Sequence, residues 1–431
     1  MELHHDALYI TGGTPLQGEV HAHAAKNSVL YLMMGSLLTR EKVVLEDVPK
    51  LSDILILCQM LEHFGAAVRW HGRDLHIEAS EIFTCDAPYA LVSQLRASFV
   101  AMGALLGRCG EANISMPGGC AFGPRPVDRH IKAFRQIGAT VGEAGGDFQV
   151  RRSGALAGRA VFEVPTVGGT QNIILASALG QGHVTIENAA LEPEIADLAA
   201  MLNAMGARIR GAGTPTVHIE GVASLRGVTY RPVPDRIEAG TFMLAAAATR
   251  GSVTLRNVNP EHLRAVTHKL GESGVTVTQV DARTLHVDAA GSLKPVDVTA
   301  SEYPGLPTDL QAPFGAFLAT VPGFSTLQDR VYPDRFTHVG ELTRAGARLE
   351  LRDRTLVVRG GPLTGTQMHA ADIRAGGALV VAALAAAGES AITGVRYIER
   401  GYEGLEERLR ALGARVTKGR APELATKTHL N

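Results

Sequence analysis

The chain has 431 residues, 45% of them hydrophobic and 20% charged, with a formal net charge of −1. That length bounds it to two or three domains with ample core. The balanced charge excludes the global basic excess of a nucleic-acid binder, so any anion recognition has to come from a local cluster.

No uncharged apolar run reaches about 18 residues, so no membrane-spanning helix is expected. The opening Met-Glu-Leu-His-His-Asp lacks the basic-then-apolar pattern of a secretory signal. The four cysteines, Cys58, Cys85, Cys109 and Cys120, form no C-x-x-C pair and no metal-type spacing with histidine. Reduced thiols, a cytoplasmic location and no bound metal are therefore expected. His4, His5, His21 and His23 crowd the first residues without helical ligand spacing, which again argues against a metal.

Taken in chain order, two signatures alternate. The first is a small-residue helix, apolar on all sides, that runs into a strand. Its copies are NSVLYLMMGSLLTREKVVLEDV, SFVAMGALLGRCGEANISM, QNIILASALGQGHVTIENA, GTFMLAAAATRGSVTLRNV, FGAFLATVPGFSTLQD and GALVVAALAAAGESAITGV. A helix apolar all round belongs inside a protein rather than on its surface. The second is an amphipathic helix, a glycine turn and a β-branched strand, with the glycine at Gly65, Gly138, Gly206, Gly274, Gly346 and Gly413. Glycine suits the left-handed residue that ends a helix. Successive spacings of 73, 68, 68, 72 and 67 residues are too long for a simple solenoid and predict six βαβ-type subdomains. The expected fold is α/β, two domains of three units each.

Between the second buried helix and the next amphipathic one lies Ser115–His130, with Gly118, Gly119, Gly123, Pro117, Pro124 and Pro126. These exclude a helix or a central strand and predict a loop with hinged ends. Cys120 sits at its crown, followed by Arg125, Pro126, Val127 and Asp128. Each buried helix also has a polar entry: Lys26-Asn27, Arg96-Ala97-Ser98, Thr166 to Thr170, Asp235 to Glu238, Pro307-Thr308-Asp309 and Asp372-Ile373-Arg374. Helix amino termini offer unpaired N–H groups and partial positive charge. With Lys26, Arg96, Arg125, Arg335, Arg374 and Arg400 they predict an anion site fit for phosphate or carboxylate. Taken alone, Asp309 also reads as a helix cap, Asp235 and Glu238 as structural carboxylates, and His130 as a solvated first-turn histidine.

The segments AAKNSVL, LRAS, GGCAFGPRPVDRH, TVGGTQN, PDRIEAGTF, YPGLPTDLQ, DRFTHVGEL, ADIRAG and ERGYEGLEERLRALGA, spread over residues 8–417, together resemble the enolpyruvyl transferases. Within them they resemble the UDP-N-acetylglucosamine 1-carboxyvinyltransferases, to which the Cys loop and the R-P-V-D run are specific. The resemblance implies two inside-out α/β barrels of three units each, with the domains over 25–231 and over 1–24 plus 232–420, followed by a polar tail at 421–431. It implies transfer of the enolpyruvyl group of phosphoenolpyruvate to the 3′-hydroxyl of UDP-N-acetylglucosamine by addition and elimination, releasing phosphate. No cofactor, metal, nucleic acid, membrane or obligate protein partner is implied.

Residue by residue, the resemblance implies Asp309 as the base for the sugar hydroxyl and Cys120 as the acid over phosphoenolpyruvate, with Lys26 and Arg400 also catalytic. Lys26, Asn27, Arg125, Arg335, Asp372, Arg374 and Arg400 match phosphoenolpyruvate positions. Arg96, Arg125, Pro126, Val127, Asp128, Thr166, Gly168, Asp309 and Val331 match UDP-sugar positions. Val164, Leu306 and Val100 depart from the usual pattern. The sister transferase acting on shikimate 3-phosphate lacks a Cys loop and usually shows Gly-Asn-Ala-Gly-Thr before its arginine, where this chain has Val-Ser-Gln-Leu-Arg96.

Overall fold

The computed structural model describes residues 6–115 and 127–421, and of Arg96 and Ala144 only the backbone. The proposed loop residues Cys120, Arg125 and Pro126, and the tail beyond Ala421, lie outside the described residues.

Among the described residues, six helices are apolar on all sides and buried along almost their whole length: Lys26–Ser36, Ala101–Cys109, Val167–Ser177, Arg236–Ala248, Gln311–Thr320 and Ile373–Ala385. Six sheets accompany them, each of four strands and each built from one parallel and two antiparallel pairings. A shared pairing pattern is what a six-fold repeat of one βαβ-type subdomain should give. All six turn glycines hold positive φ, from 86° at Gly413 to 109° at Gly65 and Gly206. A side chain there would be strained, so the helix-ending role read from the spacing is physical.

The chain divides into two compact units. One comprises His23–Asp235 with Glu302–Pro304 and holds the first three buried helices, with three sheets. Those helices pack on one another around a core rich in Leu, Ile, Met and Ala. The unit closes on itself through strand Val228–Tyr230, which pairs in parallel with Val43–Leu45 from its beginning.

The other unit comprises the residues up to Ala22, Arg236–Ser301 and those from Gly305 on. Its three buried helices pack pairwise around a second core. Here the amino-terminal strands supply the closure. Asp6–Thr11 lies antiparallel between Glu389–Thr393 and Arg415–Arg420, and Gln17–His21 pairs in parallel with Ser252–Arg256. Among the described residues, no helix is long and apolar enough to cross a membrane.

Close helix contact explains the small-residue bias. A methyl on Gly103 would fall 2.2 Å from the Asn172 carbonyl oxygen, and one on Gly377 would fall 2.6 Å from the Tyr402 hydroxyl. Only glycine allows these approaches.

Candidate active site

In the unit that contains Arg236–Ser301, three elements converge on one carboxylate. The helical turn Thr308–Leu310 leads into the buried helix Gln311–Thr320 and carries Asp309. Arg335 follows the strand Gly323–Asp329, and Arg374 sits in the first turn of the helix Ile373–Ala385. Arg335 Nη1 donates to Asp309 Oδ1 at 2.7 Å, and Arg374 Nη2 donates to Asp309 Oδ2 at 2.7 Å. The arginine side chains are only 7% and 6% exposed, while Asp309 is 23% exposed. The position before this turn is Pro307 with no side-chain cap, so the cap reading of Asp309 is replaced by that of a carboxylate gripped by two guanidinium groups. Such paired contacts are charge-assisted and strong.

Hydrogen bonds from Thr308 and around Asp329 fix this cluster. Thr308 donates to buried Asp329 at 2.5 Å and accepts from Arg335 at 3.1 Å. Asp329 also accepts the backbone N–H groups of Val331 and Tyr332 at 2.9 and 2.7 Å. Burial pushes the Asp329 carboxyl up from its ordinary range, against the hydrogen bond from Thr308. Val331 is thus placed by a tight turn whose anchor is Asp329.

Asp372 caps the helix Ile373–Ala385, accepting from Arg374 N at 2.8 Å and Ala375 N at 3.0 Å, while its other oxygen accepts from Thr337 at 2.8 Å. Its carboxylate therefore orients Arg374 through the backbone. Arg400 follows the short helix Val395–Glu399. Its neighbour Gly401 lies so close that a methyl there would meet Ile373 Cγ2 at 2.6 Å and stand 3.6 Å from Arg374 Nη1.

His338 lies beneath, 1% exposed, and a methyl on Gly315 would stand 3.2 Å from its Nε2. Burial holds its imidazole pKa down to about 4, so it is neutral at physiological pH.

In the unit from His23 to Asp235, Lys26 opens the first buried helix. Its Nζ lies 3.0 Å from Asp53 Oδ2, with side-chain exposures of 8% and 3%, and its backbone N–H donates to Asp235 at 3.1 Å. Asn27 follows, half-buried. Asp235 thus holds a helix start, as a structural carboxylate would, and Glu238 pairs with Arg408. Asp53 was not singled out from sequence, because Ser-Asp opening a helix reads as a cap.

Elsewhere in this unit, Thr166 caps Val167–Ser177 by accepting Gly169 N–H at 3.3 Å. The turn Arg96–Val100 packs against this helix and against Lys26–Ser36. Helix Asp128–Gln136 starts just after buried Val127, and its Asp128 is exposed.

His130 ties these pieces together. Asn172 Oδ1 accepts Gly103 N–H at 2.7 Å, so Asn172 Nδ2 is the donor to His130 Nδ1 at 2.9 Å and to the Phe99 carbonyl at 3.3 Å. That leaves the neutral ring's proton on Nε2, from which a methyl on Gly168 would stand 3.5 Å away. Some of His130 reaches solvent, yet the ring packs edge-on against Phe99 and burial holds its pKa down to about 4. It is not the solvated first-turn histidine expected.

The departures from the family pattern also differ among themselves. Val100 and Leu306 are core residues at 2% and 4% exposure, whereas Val164 is exposed.

The family model of EPSP synthase (3-phosphoshikimate 1-carboxyvinyltransferase) matches residues 10–409. A UDP-N-acetylglucosamine 1-carboxyvinyltransferase of Thermus thermophilus is 55% identical over 415 residues, covering 96% of this chain and 97% of the relative. One of Deinococcus radiodurans is 53% identical over 411 residues, covering 95% and 96%. Among solved structures, the enolpyruvyl transferase NikO from Streptomyces tendae matches with a TM-score of 0.86 at 26% identity, covering 97% of this chain and all of that one. An EPSP synthase from Acinetobacter baumannii, at 18% identity and a TM-score of 0.75, shares the fold over 96% of this chain. With its two units of three repeats and a match running almost from end to end, the chain belongs to the EPSP synthase family.

Proposed function

We propose that this chain transfers the enolpyruvyl group of phosphoenolpyruvate to the 3′-hydroxyl of UDP-N-acetylglucosamine, releasing inorganic phosphate, and so commits that sugar to peptidoglycan synthesis. One observation carries the reading: relatives named for this reaction are 55% identical over nearly the whole chain.

The geometry supports it. The substrates bring a phosphate, a carboxylate and a diphosphate. The chain supplies buried arginines at Arg335 and Arg374, Arg400 next to the glycine that approaches Arg374, a buried ammonium at Lys26 and the starts of apolar helices.

In this reading Asp309 takes the sugar hydroxyl proton, and an acid protonates the methylene carbon of phosphoenolpyruvate. The tetrahedral adduct then loses one proton from its new methyl group as the carbon–oxygen bond to phosphate breaks, which restores the double bond and releases inorganic phosphate. Cys120 is the proposed acid, and Asp309, Lys26 and Arg400 complete the catalytic set. Arg335 and Arg374 grip Asp309 and are also its competitors. An incoming anion that draws them away frees the carboxylate to accept a proton, which couples anion binding to base strength.

Asn27, Arg125 and Asp372 join the phosphoenolpyruvate side. Arg96, Arg125, Pro126, Val127, Asp128, Thr166, Gly168, Asp309 and Val331 form the nucleotide-sugar side. The reaction is balanced without a metal or cofactor.

The test is phosphate release from phosphoenolpyruvate with each of two acceptors. Release that depends on UDP-N-acetylglucosamine supports the reading. Release that depends on shikimate 3-phosphate, or on neither acceptor, refutes it.

A further inference from the structure

Asp197 takes no part in the reaction as derived, yet it is a carboxyl only 3% exposed, on the helix Pro193–Ala204. That helix packs on Lys26–Ser36 so closely that a methyl on Gly35 would fall 2.8 Å from Met201 Cε and 3.4 Å from Leu198 Cδ1. Apolar packing explains Leu198 and Met201. It does not explain a carboxyl, which loses its water on burial and needs donors in exchange.

Three donors reach it. The fully buried Ser28 donates its hydroxyl to Asp197 Oδ2, and Val233 N–H donates to the same oxygen at 3.2 Å. Tyr230 Oη donates to Oδ1 at 2.7 Å. Burial pushes the carboxyl up from its ordinary range, against these bonds.

Two of the donors lead to Lys26. Ser28 lies in the first turn of Lys26–Ser36, directly after Asn27. The Val233 carbonyl accepts Ala25 N–H at 2.8 Å. Asp235, two residues on, donates its N–H to the His23 carbonyl at 2.8 Å and accepts Lys26 N–H at 3.1 Å. Residues 23–26 are thus laced to 233–235, and Asp197 holds the lacing at Val233 and the helix at Ser28. Tyr230 leads elsewhere, ending the strand Val228–Tyr230 that pairs with Val43–Leu45.

We infer that Asp197 is a positioning residue of the phosphoenolpyruvate side, fixing through Ser28 and Val233 the helix start that carries Lys26 and Asn27.

The inference rests on Lys26 and Asn27 serving phosphoenolpyruvate. An ammonium on a flexible four-carbon stem meets an anion in one geometry only where the backbone beneath it is fixed. A helix start ordered beforehand spares that ordering on binding, so loosening it weakens affinity.

Steady-state kinetics and backbone hydrogen exchange on full-length variants test this. Ser28→Ala removes one link to Lys26, Asp197→Ala removes both, and Tyr230→Phe removes only the bond that leads away. Ser28→Ala should raise KM for phosphoenolpyruvate about fivefold or more, and Asp197→Ala further, with KM for UDP-N-acetylglucosamine within about twofold of wild type. Asp197→Asn should restore KM, because its amide oxygen still accepts from Ser28 and Val233 while its NH₂ group donates to Tyr230 Oη. Tyr230→Phe should lower the melting temperature much as Ser28→Ala does, yet leave both KM values unchanged. The Ser28 and Val29 amides, which donate to the Ala25 carbonyl, should exchange at least about fivefold faster in Ser28→Ala and Asp197→Ala only. Should Asp197→Ala not fold, Ser28→Ala against Tyr230→Phe decides alone. Lost stability with an unchanged KM for phosphoenolpyruvate, an equal rise for both substrates, or a Tyr230→Phe enzyme as impaired as Ser28→Ala overturns the inference. A wild type that releases no phosphate with UDP-N-acetylglucosamine refutes the reaction instead. Exchange then decides the positioning role: faster exchange confined to the Ser28 and Asp197 variants upholds it, and equal exchange in all variants overturns it.

Discussion

Arg374 Nη2 and Asp309 Oδ2 meet at 2.7 Å although the residues stand 65 positions apart. This contact ties the start of one buried helix to the start of another. With Arg335 on the other oxygen, it makes Asp309 a shared counter-ion rather than a cap.

Asp309→Asn should therefore cost more than a cap would. It leaves two nearly buried guanidinium groups facing a neutral amide, and breaking a buried pair typically costs about 3–5 kcal/mol. The partial exposure of Asp309 puts the expectation at the lower end. Thermal unfolding should show the loss, and inorganic phosphate should restore part of it by taking the carboxylate's place. Turnover should fall at least about a hundredfold, as for loss of a general base. A variant as stable as the wild type, or one keeping more than about a tenth of its turnover, would return Asp309 to a minor role.

Lys26 and Asp53 should behave as one unit. Asp53→Asn leaves a buried ammonium without its carboxylate, and Lys26→Gln leaves the reverse. Each single change should destabilise by a few kcal/mol, and the double change by less than their sum. Lys26→Gln should also raise the phosphoenolpyruvate concentration needed for half-maximal rate. Additive losses in chemical denaturation would show that the two residues do not depend on each other.

Acid should destabilise the protein partly through His338. Its folded pKa is about 4, while the unfolded chain binds that proton near 6.5. Between those values the unfolded state holds more protons, so stability rises with pH. The contribution is fully present above about 6.5 and is lost as pH falls toward 4, at up to about 1.4 kcal/mol per pH unit. His338→Gln should flatten the stability–pH curve in this window. Asp329, with its raised pKa, acts in the opposite sense and is common to both proteins. Parallel curves for wild type and variant would contradict a buried neutral His338.

Among the thiols, fosfomycin should label Cys120, and UDP-N-acetylglucosamine should accelerate the labelling. A general alkylating reagent should instead find exposed Cys109 at a rate indifferent to the sugar nucleotide, and Cys58 last. Exposure thus separates Cys109 from buried Cys58. Fosfomycin label on Cys109 in place of Cys120 would remove Cys120 from the proposed site.

The repeats were legible in the sequence because their causes are local. Gly65 and Gly413 end helices in a conformation that glycine adopts freely, and Ile373–Ala385 is apolar on every side whatever it packs against. The partners were not legible. Asp53 reads as a helix cap until the fold brings it to Lys26, and Asp329 reads as a strand end until the turn to Tyr332 wraps it. His130 reads as a solvated residue until Asn172 reaches it from 42 positions away. The seating of Asp6–Thr11 between the last strands of the chain is likewise a tertiary outcome with no local signal.

The most direct measurement is the structure of the product. Phosphoenolpyruvate labelled with ¹³C at the methylene carbon, incubated with UDP-N-acetylglucosamine and the protein, should give one new enol ether whose long-range coupling joins the enolpyruvyl carbon to the sugar's C3, with phosphate released in equal amount. Labelled pyruvate, an ether on any other oxygen, or turnover only with shikimate 3-phosphate would contradict the proposed reaction.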